Sequence, residues 1–509
     1  MSLSWKGVLF FIASCSAIAA GQGVSGPKHG KNIVCFLASW SHYRLDPIKF
    51  HLSDLDPSLC THLVYSFAVL DENTNEIKSS DVGLDVENKD TTVGYKGFVD
   101  LKTKNPHLKV TLCIGGWNEG SQKFSLMAKS PHSRKQFIQS VIKFLQTYNF
   151  DGLDIMWKYP TTRGGDKQDK DNFVILVKEL KEAFSPHDFI LTASLSGIKH
   201  VMEPAYDLVQ LNKYLDMIHV LGYDYHGPWN GILGANSPLS STSQDNFRSV
   251  EYTIRYMIAF GVSPEKINLE LPLFGRTLLL SNPKEERVKF GQTKVQGVGF
   301  PGPIIKGIHY YAYSEICMEL TNKSIPWDYH WDEESSTPYL RDKDRIISYD
   351  NPRSIANKVK LAIDYNLGGF MVWSVDTDDF KGLCDLRNDA YDDYEARINR
   401  ISDDPMLQDA IDKLDLSDLD LNDGYYIKMD KKLEFIKPKQ DFKNFQMLRT
   451  INQATSVALE EMKIVLAIWN KRRFGNGISG TSFVLPTSLG GCEQSCLSSC
   501  YKMCQNPFL

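Results

Sequence analysis

The run Phe150-Asp151-Gly152-Leu153-Asp154-Ile155-Met156-Trp157-Lys158-Tyr159-Pro160 places Asp154, Met156 and Lys158 at two-residue spacing. Strand residues alternate faces, so in a strand these three side chains point the same way. Three carboxylates in such a row would make a proton-handling cluster, with one acid to protonate a leaving group and neighbours to tune it. Here the second group is a thioether and the third an ammonium. Lysine is a poor acid near neutrality, with a reference pKa of about 10.4, although burial can depress it. The row has the layout of an acid–base site and lacks most of the groups that would do the chemistry.

Such a row needs a strand inside a larger frame. Short apolar runs recur at Ile33–Leu37, His62–Phe67, Lys109–Ile114, Gly152–Trp157, Phe189–Ser194, Met217–Leu221, Ile267–Leu271 and Gly369–Trp373. Amphipathic helical patterns such as Ser133–Tyr148 and Asp169–Phe184 lie between them. Eight strands alternating with helices predict an α/β fold, and eight is the number that closes a (β/α) barrel. The seventh and eighth runs stand too far apart for one crossover helix. The segment from Phe274 to about Tyr349, rich in Gly, Pro and aromatics, is expected to be a small inserted subdomain.

The chain has 509 residues, 42% hydrophobic and 23% charged, an ordinary balance for a globular protein. A net charge of -5 gives no reason to expect a nucleic-acid partner. Lys6, the apolar run Gly7–Ala20 and its small residues resemble a secretory signal over residues 1–20, too short to span a bilayer comfortably. No later segment is long and apolar enough to span one. The expectation is a secreted, extracellular protein with no membrane partner. Ten cysteines are encoded, and loss of Cys15 with the signal leaves an odd number, hence at least one free thiol or an intermolecular bond. Cys113, in the apolar run Val110–Ile114, is the best free candidate. Asn322-Lys323-Ser324 is a glycosylation sequon.

From Ile401 the character changes. Asp403–Asp423 carries eight aspartates and one lysine. A calcium loop fails there, because Gly424 falls one place late and Met429 stands where a bidentate Glu is needed; a solvated acidic linker is expected. A basic stretch and a helix over Phe445–Trp469 follow. The tail Cys492-x3-Cys496-x3-Cys500-x3-Cys504 matches no common zinc spacing, and two disulfides are the expected state. Residues 401–509 form an extension whose fold the sequence does not specify. Nothing along the chain calls for a cofactor or a metal.

Seven blocks in order then resemble glycoside hydrolase family 18, the chitinases and chitinase-like lectins. They are Cys35-Phe36-x3-Trp40, Cys60-Thr61-His62-Leu63-x-Tyr65-x-Phe67, Ile114-Gly115-Gly116-Trp117, Gly222-Tyr223-Asp224-Tyr225-His226-Gly227, Phe274-Gly275-Arg276, Trp331-Asp332-x5-Pro338-Tyr339 and Met371-Val372-Trp373-Ser374-x-Asp376, and the Phe150–Pro160 run resembles the family's catalytic strand. The resemblance covers roughly residues 31–400. It implies a TIM (β/α)8 barrel with a small α+β insertion after strand 7, and disulfides Cys35–Cys60 and Cys317–Cys384. It also implies a substrate-assisted mechanism, in which a glutamic acid protonates the leaving oxygen and an aspartate orients the substrate's acetamide. Lys158 stands in the acid's place and Met156 in the aspartate's, so no intact catalytic set remains.

The same resemblance implies sugar contacts at Trp40, Phe67, Trp117, Tyr223, Asp224, Trp229, Arg276 and Trp373, with Trp373 as the cleft floor. Phe36 and Phe274 stand where active members usually carry tyrosine, so stacking surfaces survive better than polar contacts. Lys158 is expected to pair with Asp154 or Asp224. The reading is an inactive chitinase-like protein that binds chito-oligosaccharides or other N-acetylglucosamine polymers. The rivals are a growth-factor-like or immune-modulating factor acting through an unidentified protein partner, and an active hydrolase with unusual chemistry.

Overall fold

The computed structural model describes residues 25–88, 93–241, 247–322, 326–384 and 387–474. Eight parallel strands close on themselves: β1 (Asn32–Ala38), β2 (His62–Leu70), β3 (Lys109–Gly115), β4 (Gly152–Met156), β5 (Ile190–Leu195), β6 (Met217–Leu221), β7 (Ile267–Pro272) and β8 (Gly369–Trp373). Closure comes from β1, which pairs with β8 at Asn32↔Gly369 and with β2 at Val34↔His62. This is a TIM barrel, and all eight apolar runs are its strands. The helices Pro131–Tyr148 and Asp169–Phe184 belong to the outer ring and bury one apolar face each.

Alternation divides each strand between the barrel interior and the surrounding helices. The interior is itself divided. On one side Val34, Phe36, Val64, Cys113, Met156 and Met371 form a separate apolar cluster, with Phe67 and Trp373 packed on it. On the other side β4 to β7 turn Asp154, Thr192, Ser194, His219, Asn268 and Glu270 inward, all buried. Active sites of such barrels form at the C-terminal strand ends, so this polar half underlies whatever the rim can do.

The chain leaves β7 at Pro272 and enters a five-stranded antiparallel sheet, ordered Tyr311–Ala312, Phe274–Leu279, Arg345–Ser348, Thr337–Asp342, Asp328–Asp332, with a helix over Tyr313–Thr321. Phe274 and Arg276 begin this sheet and stand beside the rim. Disulfides join Cys35 to Cys60 and Cys317 to Cys384, and Cys113 is a buried free thiol.

Past residue 400 the structure corrects the sequence reading. The acidic stretch is a folded layer rather than a linker. Leu407, Ile411 and Leu414 are buried, whereas Asp409, Asp412 and Asp418 face solvent. The Leu/Asp mixture is thus an amphipathic pattern with a core to face. A hairpin follows (Tyr426–Met429 with Lys432–Phe435), then the helix Gln446–Phe474, packed along the helix Pro352–Asp364. Its N-terminus is capped from a distance, with the Asp378 carboxylate accepting from the amides of Met447 at 3.2 Å and Leu448 at 3.0 Å. Its side also meets the barrel base, where Arg449 pairs with Asp56 at 2.8 Å. No helix among the described residues is long and apolar enough to cross a membrane. The signal-like residues 1–20 and the four-cysteine tail lie outside the described residues.

Candidate functional site

Asp154 lies in the barrel core with no solvent exposure. Its carboxyl accepts from Thr192 Oγ1 at 2.6 Å, Ser194 Oγ at 3.1 Å and the Cys113 thiol at 3.2 Å. Burial pushes its pKa up despite these donors. His219 Nε2 is 3.8 Å from Asp154 Oδ1, within ion-pair distance. Burial lowers the His219 pKa to about 3, so the imidazole is neutral and the contact is no ion pair at neutral pH. Asp151 sits at the opposite end of β4, paired with Lys102 at 2.8 Å.

Met156 fills the apolar half of the interior. Lys158, two residues past the end of β4, is 9% exposed. The expected pair with Asp154 or Asp224 does not form: the ammonium makes no ion pair or hydrogen bond among the described residues. Both candidate partners are already engaged. Asp154 is taken up by β3 and β5, and Asp224 Oδ1 accepts from Arg276 Nε and Nη2, both at 2.7 Å. Burial lowers the Lys158 pKa, and the carboxylates that act most to raise it are Glu270, then Asp224.

Glu270 is the group that the sequence reading missed. It is fully buried on β7, and burial raises its pKa to about 8, so it holds its proton at neutral pH. The Tyr223 hydroxyl donates to its Oε1, while Oε2 has no hydrogen-bond partner among the described residues. The register pairs Glu270 with Met371 and Pro272 with Trp373, so Glu270 lies one inward layer beneath the floor tryptophan. A signal was available. In Ile267-Asn268-Leu269-Glu270-Leu271 alternation puts Asn268 and Glu270 on one face of an otherwise apolar strand, where a buried charge needs an explanation.

The aromatic residues converge above this base. Phe67 stacks on Trp40 (centroids 5.8 Å apart, planes 20°) and on Trp373 (5.7 Å, 23°). Trp40, Trp117 and Trp229 are 44%, 60% and 52% exposed. Gly116, at φ +88°, sits where a Cβ would strike the Phe67 ring at 2.7 Å, so the turn before Trp117 needs glycine. The Arg163 guanidinium lies 3.8 Å over Trp117, and that of Arg276 lies 5.5 Å from the Trp229 ring centre. Phe36 and Phe274 serve as packing: Phe36 against Trp373 at 5.9 Å, Phe274 against Tyr310 at 4.8 Å. The result is an aromatic cleft whose base holds one unpaired ammonium and whose two nearest inward carboxyls, Asp154 and Glu270, are sealed from solvent. Stacking is well served, whereas among the described residues no exposed carboxyl stands at the end of β4 to protonate a leaving group.

The model of the glycosyl hydrolases family 18 matches residues 32–378. "Probable chitinase 2" of Drosophila melanogaster is 37% identical over 467 residues, covering 90% of this chain and 88% of the relative. That span exceeds the family match, so the relative shares part of the sequence beyond it. Among solved structures, the Ostrinia furnacalis Group IV chitinase in complex with allosamidin superposes with a TM-score of 0.69 at 32% identity, covering 84% of this chain and 99% of that one. Human YKL-39, a pseudo-chitinase with retained chitooligosaccharide binding, superposes with a TM-score of 0.62 at 35% identity, covering 69% and 94%.

Proposed function

The chain belongs to glycosyl hydrolases family 18, and from that premise we propose that it is a secreted chitinase-like lectin that binds chito-oligosaccharides and does not hydrolyse them. One observation carries the reading. Lys158 occupies the position of the family's acid, with Met156 in place of the acetamide-orienting aspartate, and neither Asp154 nor Glu270 reaches the cleft. Loss of a positioned general acid typically lowers the rate by roughly 10²–10⁴. The ammonium at Lys158 would further oppose the cationic intermediate of a substrate-assisted reaction. Binding is supported by the stacked Trp40, Phe67 and Trp373 and by the exposure of Trp117 and Trp229. YKL-39 provides a precedent for binding without hydrolysis within the fold.

Secretion is supported by the signal-like N-terminus and the two disulfides. The exposed Asn322 would then be available for glycosylation. The reading through protein contacts has one observation in its favour: Tyr223 spends its hydroxyl on Glu270, and Asp224 one carboxylate oxygen on Arg276. Titration with chitotetraose, followed by tryptophan fluorescence, separates the two. The lectin reading expects saturable quenching in the wild type that is lost in Trp373→Ala. Absence of quenching at millimolar sugar would favour the vestigial cleft.

A further inference from the structure

The base of the cleft holds a lysine amine without a contact anion. Lys158 is nine-tenths buried, and its ammonium meets no acceptor among the described residues; only its backbone carbonyl is engaged, by Arg163 Nη1 at 2.8 Å. The groups that act on it include Glu270, Asp224, Arg276, the Cys113 thiol and Asp154. None supplies a counter-charge in contact. Asp224 is held by Arg276 at 2.7 Å. Glu270 keeps its proton at neutral pH and accepts from Tyr223. Burial raises the Cys113 thiol well above its usual range, and that thiol donates to Asp154 at 3.2 Å.

An amine in a largely buried side chain without an acceptor is an unfavourable arrangement, relieved when a ligand brings an anion that both accepts from it and holds its proton. A second cation stands close by. Arg163, tied to the Lys158 carbonyl, covers Trp117 at 3.8 Å and forms no ion pair among the described residues. A sugar against Trp117 would therefore meet the Arg163 guanidinium as well.

We infer that the cleft selects acidic glycans, N-acetylhexosamine oligosaccharides bearing a carboxylate or a sulfate ester, with that anion seated on Lys158 Nζ. This rests on the lectin reading of the cleft and narrows it to a ligand class. Carboxylate and sulfate share the chemistry the ammonium recognises, namely oxygens accepting charge-assisted hydrogen bonds.

The test is calorimetric titration of the full chain with three tetrasaccharides: neutral chitotetraose, 6-O-sulfated chitotetraose, and one in which N-acetylglucosamine alternates with glucuronate. At least one acidic sugar should bind about tenfold or more tighter than the neutral one, the ordinary worth of a charge-assisted hydrogen bond. Which of the two does so identifies the anion. In Lys158→Met the acidic-to-neutral ratio should fall to near one. Lys158→Gln, which keeps a polar end, should give the same collapse, and thermal melting of both variants checks their fold. Neutral sugar binding as tightly as both acidic ones would overturn the inference and leave the lectin reading standing. A ratio that persists in both variants would move the selectivity elsewhere and also overturn it. Binding of none of the three would remove both readings.

Discussion

At the scale of single residues, Met156 and Lys158 follow Asp154 along and just past β4, and Glu270 is the buried acid of β7. Met156→Asp combined with Lys158→Glu restores the two groups the family mechanism uses, in a barrel that keeps the aromatic stack of Trp40, Phe67 and Trp373. Turnover of a fluorogenic chitobioside is expected from the double variant and from neither single one, since paired catalytic groups act as a unit. Glu270 gives a separate test. Its pKa is raised from 4.5 to about 8, so its contribution to stability is full below about pH 4.5 and is lost as the pH rises through 8. Glu270→Gln keeps the acceptor for Tyr223 and removes the titration. Denaturant melts should show the wild type losing a few kcal/mol relative to this variant between pH 5 and pH 9. Parallel pH profiles would mean that Glu270 does not titrate in that window.

Secondary-structure elements were readable in the sequence wherever a local period met a core of known position. The strand β7 run and the helix Asp169–Phe184 follow directly from alternation and amphipathicity. The partners of Asp154 and the surroundings of Lys158 were not readable, because Thr192, Ser194 and Glu270 come from other strands and only closure of the barrel sets their register. The segment past residue 400 was misread for the same reason: nothing local tells Leu407 and Leu414 that a surface awaits them. The cap on the helix Gln446–Phe474 is equally non-local. Burial raises the Asp378 pKa from 3.8 to about 7, outweighing the helix amides that hold it down. Its contribution to stability is therefore full below about pH 3.8 and declines as the pH rises through 7. Asp378→Asn should flatten this slope while retaining an acceptor. Asp378→Ala should be less stable than Asp378→Asn by about 1–2 kcal/mol at all pH values through loss of the cap. Equal melts for Asn and Ala would show that the cap contributes nothing.

At the scale of the molecule, the C-terminal layer is part of the core rather than an appendage. Ile451, Ala454, Val457, Ala458, Ile464 and Ile468 are buried in the same cluster as the barrel's outer strand faces and surrounding helices. A fully buried aliphatic side chain is worth about 1.5–3 kcal/mol, and whole domains are stable by only about 5–15 kcal/mol. Truncation after Arg400 should therefore give insoluble or molten protein by solubility and near-ultraviolet dichroism. A truncated chain that melts at the wild-type temperature would overturn this assignment. The larger claim is that this intact barrel keeps its aromatic cleft and lacks the means to cleave what the cleft holds. A single incubation of full-length protein with chitotetraose, read by tryptophan fluorescence and by mass spectrometry of the sugar, tests it most directly. The account predicts saturable quenching with the tetrasaccharide intact after a day. Release of chitobiose that disappears in Lys158→Ala would contradict it.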